Sequence, residues 1–280
     1  MVDDELVRRV GAHLEMQADG PAVLALQIAV ASGLRRLEEV LEITVDGVPA
    51  TGVEELPTAV GGRTHLLEVP RGRVVVDYRA AVTGPPVGAG TGAGTAEGAE
   101  PTAQELLEAT RPSRYVDSDR LGALAAAETG GAQGLELARA VTAWVGRRLA
   151  YVPGSSRPTD GASDTLLAGQ GVCRDFAHLV AGILRARDVP ARVTAVYAPG
   201  LSPMDFHAVA EAWVDGAWHL LDATGLAPRQ ALVRIATGRD TADTAFLTTT
   251  GPVQLLGQEV TAVAQPALPA DDGESPVFLR

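Results

Sequence analysis

Three side chains in this 280-residue chain could together open an acyl bond: Cys173, His207 and Asp222. Cys173 is the one cysteine and lies in Gly169-Gln-Gly-Val-Cys-Arg-Asp175, just ahead of Phe176, Leu179, Val180, Ile183 and Leu184 at helical spacing. A thiol in the first turn of a helix meets unpaired backbone N–H groups and the positive end of the helix dipole, which favour the nucleophilic thiolate. The glycines before it allow close backbone approach, and Asp175 is placed to cap the turn by pointing back at the backbone. A lone cysteine is more often a small buried hydrophobe than a nucleophile, so the reading depends on what lies downstream.

Downstream, His207 to Val214, Asp215-Gly216 and Ala217 to Asp222 read as a hairpin, since Asp-Gly suits a two-residue type I′ turn. With that turn, Val214 faces Ala217 and Trp213 faces Trp218. Alternation then puts His207, Val209, Glu211 and Trp213 on the same face as Trp218, Leu220 and Asp222. Asp222 becomes a diagonal neighbour of His207, ~7–8 Å away at the backbone, a gap that a carboxylate and an imidazole can close. Alone, His207 reads as a hydrogen-bonded core or surface histidine and Asp222 as the end of a strand. Together with Cys173 they form the nucleophile, base and orienter of acyl transfer. The chain contains no Asn, so the third member has to be a carboxylate.

Other chemistries lose ground on residue type. All 23 basic residues are Arg, against 35 acidic ones, for a net charge of −12. The lack of a basic face argues against nucleic acid, and the lack of Lys removes phosphate-loop, Schiff-base and kinase readings. One cysteine excludes an intramolecular disulfide and a multi-cysteine zinc site. His207-x3-Glu211 lacks the second histidine of a zinc-protease helix, and Asp117 and Asp119 fail calcium-loop spacing. No metal or cofactor is implied. No apolar run approaches the ~18 residues of a membrane span, and the acidic start Met1 to Glu5 is unlike a signal peptide. A cytoplasmic protein without membrane contact is expected.

The elements that must position the three residues follow from patterning. Leu41–Val48, His65–Val69 and Arg73–Ala81 read as strands, while Ala22–Ala31 is ambiguous between strand and helix. Gly84–Ala103 has no large apolar residue except Val87 and reads as a linker or long loop. Residues 133–150 carry one apolar helical face, Pro153–Asp164 reads as a loop, and a second helix follows Cys173 and ends by Pro190. Ala191–Ala198, Ala208–Val214 and Ala217–Leu221 read as strands, 229–264 as further short strands, and the tail beyond Gln265 as frayed.

Gly171-Val-Cys-Arg-Asp-Phe-Ala177, Leu184-Arg-Ala-Arg-Asp-Val-Pro-Ala-Arg192, His207 and Trp218–Asp222 together resemble the transglutaminase-like superfamily. Arg111-Pro-Ser-Arg-Tyr115 and Gly238-Arg-Asp-Thr-Ala-Asp243 are similar to bacterial members that carry an N-terminal β-domain. The resemblance covers 104–264 well and 1–84 loosely, and Ala223 stands where many members have Pro. It implies an α+β fold, a papain-like core preceded by a small antiparallel β-domain. The parts would be a β-rich domain at 1–84, a Gly/Ala/Thr-rich linker at 85–103, a catalytic domain at 104–264 and a tail at 265–280. The resemblance makes Cys173 the nucleophile, His207 the base and Asp222 the orienter. Gln170 is a candidate oxyanion donor beside the Cys173 backbone N–H, although papain-like enzymes place such a Gln where this chain has Leu167. The expected activity is hydrolysis of a peptide or protein amide. The alternatives are an inactive binding module or a protein-glutamine transamidase. Residue types leave the oligomeric state open.

Overall fold

The computed structural model describes residues 5–84 and 100–279. Residues 85–99, most of the stretch read as a linker, lie outside them. The chain opens with seven strands: β1 (Val7–Ala18), β2 (Ala22–Leu26), β3 (Arg35–Val45), β4 (Val48–Pro49), β5 (Glu54–Pro57), β6 (Arg63–Val69) and β7 (Gly72–Thr83). Thirteen further elements follow: α1 (Ala103–Glu108), α2 (Gly122–Thr129), α3 (Gly134–Arg148), β8 (Ala150–Tyr151), α4 (Ala162–Ala168), β9 (Gln170–Gly171), α5 (Cys173–Arg185), β10 (Ala191–Tyr197), β11 (Phe206–Val214), β12 (Ala217–Leu221), β13 (Val233–Gly238), β14 (Leu247–Thr250) and β15 (Val253–Gln265). Mixed helices and antiparallel sheets make this the α+β architecture expected.

The N-terminal half is two antiparallel sheets, ordered β15-β1-β7-β3-β4 and β14-β2-β6-β5, which share one core. Strand β1 shows why it sits in that core: Val10, Ala12, Leu14, Met16 and Ala18 are buried, while His13, Glu15 and Gln17 between them are half-buried. The ambiguous run from Ala22 begins as a strand, β2, paired with β6 on one side and β14 on the other. Strands β14 and β15 lie inside the 104–264 stretch in sequence, yet hydrogen-bond into these N-terminal sheets, β15 along nearly the whole of β1.

The second half packs a sheet ordered β12-β11-β10-β13 against α5, with α3 beside it. Helix α5 is the centre of that core: of its 13 residues only Cys173 and Arg174 are not buried. The halves are tied by Tyr197, whose hydroxyl donates to the Ile28 carbonyl at 2.7 Å, and by Ala31 N–H donating to the Arg234 carbonyl at 2.9 Å. The stretch read as a linker ends in structure: Thr102 and Glu105 form a capping box that starts α1.

The tail corrects its sequence reading. Val277 is 1 % and Leu279 7 % exposed, packed with Val209, Leu220 and Leu232 on the sheet face away from α5. The Leu220 N–H donates to the Val277 carbonyl, and Asp271 pairs with Arg229 at 2.8 Å. Pro- and acid-rich composition hides two apolar anchors that find a ready-made groove, so this segment docks. No helix among the described residues is long and apolar enough to cross a membrane.

Candidate active site

Cys173 is the first residue of α5 and is partly exposed. The turn before it is shaped by Asp175, whose Oδ2 accepts the Val172 N–H at 2.8 Å and whose Oδ1 accepts the Ser156 hydroxyl at 2.9 Å. This is the cap the sequence suggested. Burial pushes the Asp175 carboxyl up, against the pull of those hydrogen bonds and of Arg174. Gly171 leaves no room for a side chain, since a Cβ there would stand 2.6 Å from that of Asp175. A two-residue parallel ladder, Ala150 to Gln170 and Tyr151 to Gly171, fixes the approach to the thiol.

The hairpin forms in the expected register, Trp213 opposite Trp218 and Val214 opposite Ala217. Asp215 at φ 50° and Gly216 at φ 78° supply the two positive angles of a type I′ turn. His207 and Asp222 therefore share a face, and His207 Nε2 meets Asp222 Oδ2 at 2.9 Å with both side chains sealed from solvent, 0 % and 2 % exposed. Asp222 Oδ1 accepts two more bonds, from the Thr224 N–H at 2.8 Å and hydroxyl at 2.7 Å. His207 Nδ1 has no hydrogen bond among the described residues.

The electrostatics follow from that closure. Burial opposes a charge on His207, but the Asp222 carboxylate, through charge and hydrogen bond, and then Cys173 outweigh it and lift the imidazolium to about 10. Burial also opposes charge on Asp222; the His207 ring and the Thr224 donors hold it below the ordinary carboxylate range all the same.

Neighbouring residues are structural. Glu211 is buried and accepts from Arg192 and Arg234 at 2.9 Å and from the Thr194 hydroxyl at 2.7 Å. The Arg192 guanidinium also lies 3.9 Å from the centre of the Trp218 ring. His178, fully buried, stacks on Tyr115 and accepts from the Thr241 N–H at 3.2 Å. Burial drives it down to about 3, so it is a neutral acceptor. Gln170 is exposed on β9 with its backbone in the ladder to Ala150. Tyr151 is a contact the sequence offered no sign of: its ring tilts against Phe176, centroids 5.9 Å apart, and its backbone pairs with Gly171. Among the described residues no group of three or more His, Cys, Asp or Glu is gathered to hold a metal.

The chain is similar to known proteins to different extents. Residues 123–223 match the family described as the transglutaminase-like superfamily. A crystal structure from Cytophaga hutchinsonii, of a candidate cysteine protease, superposes with a TM-score of 0.85 at 26 % identity, covering 99 % of both chains. An uncharacterized protein of Mycobacterium leprae is 29 % identical over 119 residues, 39 % of this chain and 42 % of that protein. The chain therefore spans well under two thirds of that relative.

Proposed function

From a chain whose residues 123–223 are a transglutaminase-like core, we propose a thiol enzyme that hydrolyses amide bonds of a peptide or protein substrate. The observation that carries it is the sealed His207–Asp222 pair with Nδ1 left free, together with the partly exposed Cys173 at the start of α5. Cys173 Sγ attacks the carbonyl carbon, and the C=O π pair moves to oxygen. As the tetrahedral adduct collapses, the His207 imidazolium gives its proton to the leaving nitrogen, and an amine and a thioester result. Neutral His207 then takes a proton from water, the hydroxide oxygen attacks the thioester, and the acid leaves as Cys173 is restored. Asp222 keeps the ring in one orientation and one tautomer throughout. Hydrolysis is favoured over transamidation by the likeness to the candidate cysteine protease over the whole chain.

The experiment compares turnover of a panel of peptide amides, and iodoacetamide alkylation of Cys173, in wild type, Cys173→Ala and His207→Ala. Turnover should vanish in both variants, and alkylation should slow about tenfold or more when His207 is removed, because the sulfur loses its cationic partner. An alkylation rate that ignores His207→Ala, with Cys173 accessible, would sink the reading in favour of a binding module.

A further inference from the structure

Strand β12 ends at Leu221, whose ladder partner is Ala210, so Asp222 sits one residue past the last pair that holds the strand. The turn that follows must therefore hold the carboxylate against His207. Thr224 gives both its N–H, at 2.8 Å, and its hydroxyl, at 2.7 Å, to Asp222 Oδ1. The same hydroxyl oxygen accepts the Leu226 N–H at 3.3 Å, which leaves its own proton for the carboxylate. With Oδ1 taken twice, Oδ2 is the oxygen that meets His207 Nε2 at 2.9 Å. Between Asp222 and Thr224, the Ala223 carbonyl lies against the backbone of α3. A Cβ on Gly146 would stand 2.8 Å from that carbonyl oxygen, so glycine is what permits the approach. The turn also borders a cavity of about 300 Å³ that it shares with Gly146 and, from the tail, Asp271 and Gly273, so packing does not enclose it on every side.

We propose that Thr224 and Gly146 are positioning residues for the His207–Asp222 pair. The Thr224 hydroxyl fixes which carboxylate oxygen faces the ring, and α3 seats the turn through Gly146. This rests on the reading of His207 as the base and Asp222 as its orienter. The terminal torsion of an aspartate is soft, so a carboxylate held at one oxygen only can swing away from its partner. Two donors on Oδ1 remove that freedom. Because the Asp222 side chain is sealed from solvent, water does not replace a donor that is lost. Gly146 acts one step further out. It lets the Ala223 carbonyl come closer to α3 than any larger residue would, and so sets where the turn, and with it the carboxylate, comes to rest.

The test reads the pair as well as the fold. Thr224→Val keeps the branched shape and the backbone N–H and removes the hydroxyl; Thr224→Ser restores it. In each variant the proton between His207 Nε2 and Asp222 is followed as a downfield NMR resonance, and Cys173 is alkylated with iodoacetamide at neutral pH. In Thr224→Val the resonance should broaden or vanish and alkylation should slow about threefold or more, short of the loss in His207→Ala. Thr224→Ser should regain both. Gly146→Ala should match Thr224→Val in both measurements, although alanine is the better helix former. Wild-type values in Thr224→Val, or Thr224→Ser as impaired as Thr224→Val, would overturn the role of the hydroxyl. A folded Gly146→Ala with wild-type values would overturn the seat on α3. His207→Ala run in parallel separates the two layers. If it leaves alkylation untouched, the base reading fails and this assignment falls with it. If it slows alkylation while the Thr224 and Gly146 variants behave as wild type, only the positioning is lost.

Discussion

A histidine cut off from water ordinarily sheds its proton, and His207 keeps it because Asp222 is sealed in with it. The two shifts oppose acid and base in turn. His207 is raised from 6.5, so its contribution to stability is complete below 6.5 and is lost as pH climbs through about 10. Asp222 is lowered, so its contribution is present above the usual carboxylate range and is lost as pH falls. Ring resonances of His207 should therefore stay those of an imidazolium across neutral pH. In Asp222→Asn burial is opposed by Cys173 alone, and the ring should titrate well below its wild-type value. The stability gap between wild type and this variant should be widest in the neutral window and close towards both extremes. A His207 ring already neutral at pH 7 in the wild type would contradict the pairing. This pair was legible because hairpin register is a counting rule, with an Asp-Gly turn to count from. The seat of Tyr151 against Phe176 was not legible: it comes from a two-residue parallel bridge, too short to leave a periodic trace.

Elements with a strong period were readable, and α5 is the clearest, its apolar face continuous from Phe176 to Leu184 and its Asp175 cap visible in the sequence. Its start is held by that one carboxylate, which satisfies Val172 N–H and the Ser156 hydroxyl together. Asp175→Ala should cost about 1 kcal/mol in urea unfolding, and it should loosen the turn that carries Cys173. Gly171→Ala acts on the same turn from the other side. Its new Cβ would meet the Cβ of Asp175, and overpacking of this kind costs roughly 1–3 kcal/mol. Gly171→Ala as stable as wild type would mean that the turn is looser than it stands. Helix α4, by contrast, begins within the loop-like stretch Pro153–Asp164, where glycine and polar residues mask the first turn. Strand β1 was missed for a related reason: its inward positions alternate faithfully, but Ala, Leu and Met fill most of them where β-branched residues would mark a strand.

At the scale of the whole molecule, pairings between distant segments are what no local pattern can disclose. Val7 meets Gln265 across the length of the chain, and the C-terminal tail finishes the second half of the fold. Charge is a whole-molecule property that can be read directly: with no lysine among 280 residues, purified protein incubated alone should form no lysine isopeptide multimers, even if a transamidase side reaction occurs. Mass spectrometry of any covalent dimer checks this. The tail offers the sharper test. It inserts Val277 and Leu279 beneath the sheet, gives its Val277 carbonyl to the Leu220 N–H of edge strand β12, and receives the Arg234 guanidinium on the Leu279 carbonyl at 3.0 Å. Leu220 lies two residues before Asp222, so the tail braces the strand that delivers the carboxylate to His207. Ending the chain after Ala270 removes two buried apolar side chains, each worth roughly 1.5–3 kcal/mol, together with the Arg229–Asp271 pair, which leaves Arg229 without its carboxylate. The truncated protein should melt several degrees lower. It should also expose the outer edge of β12, and alkylation of Cys173 should become less dependent on His207 as the His207–Asp222 pair loosens. An unchanged melting temperature after truncation would mean that the tail covers the sheet without holding it.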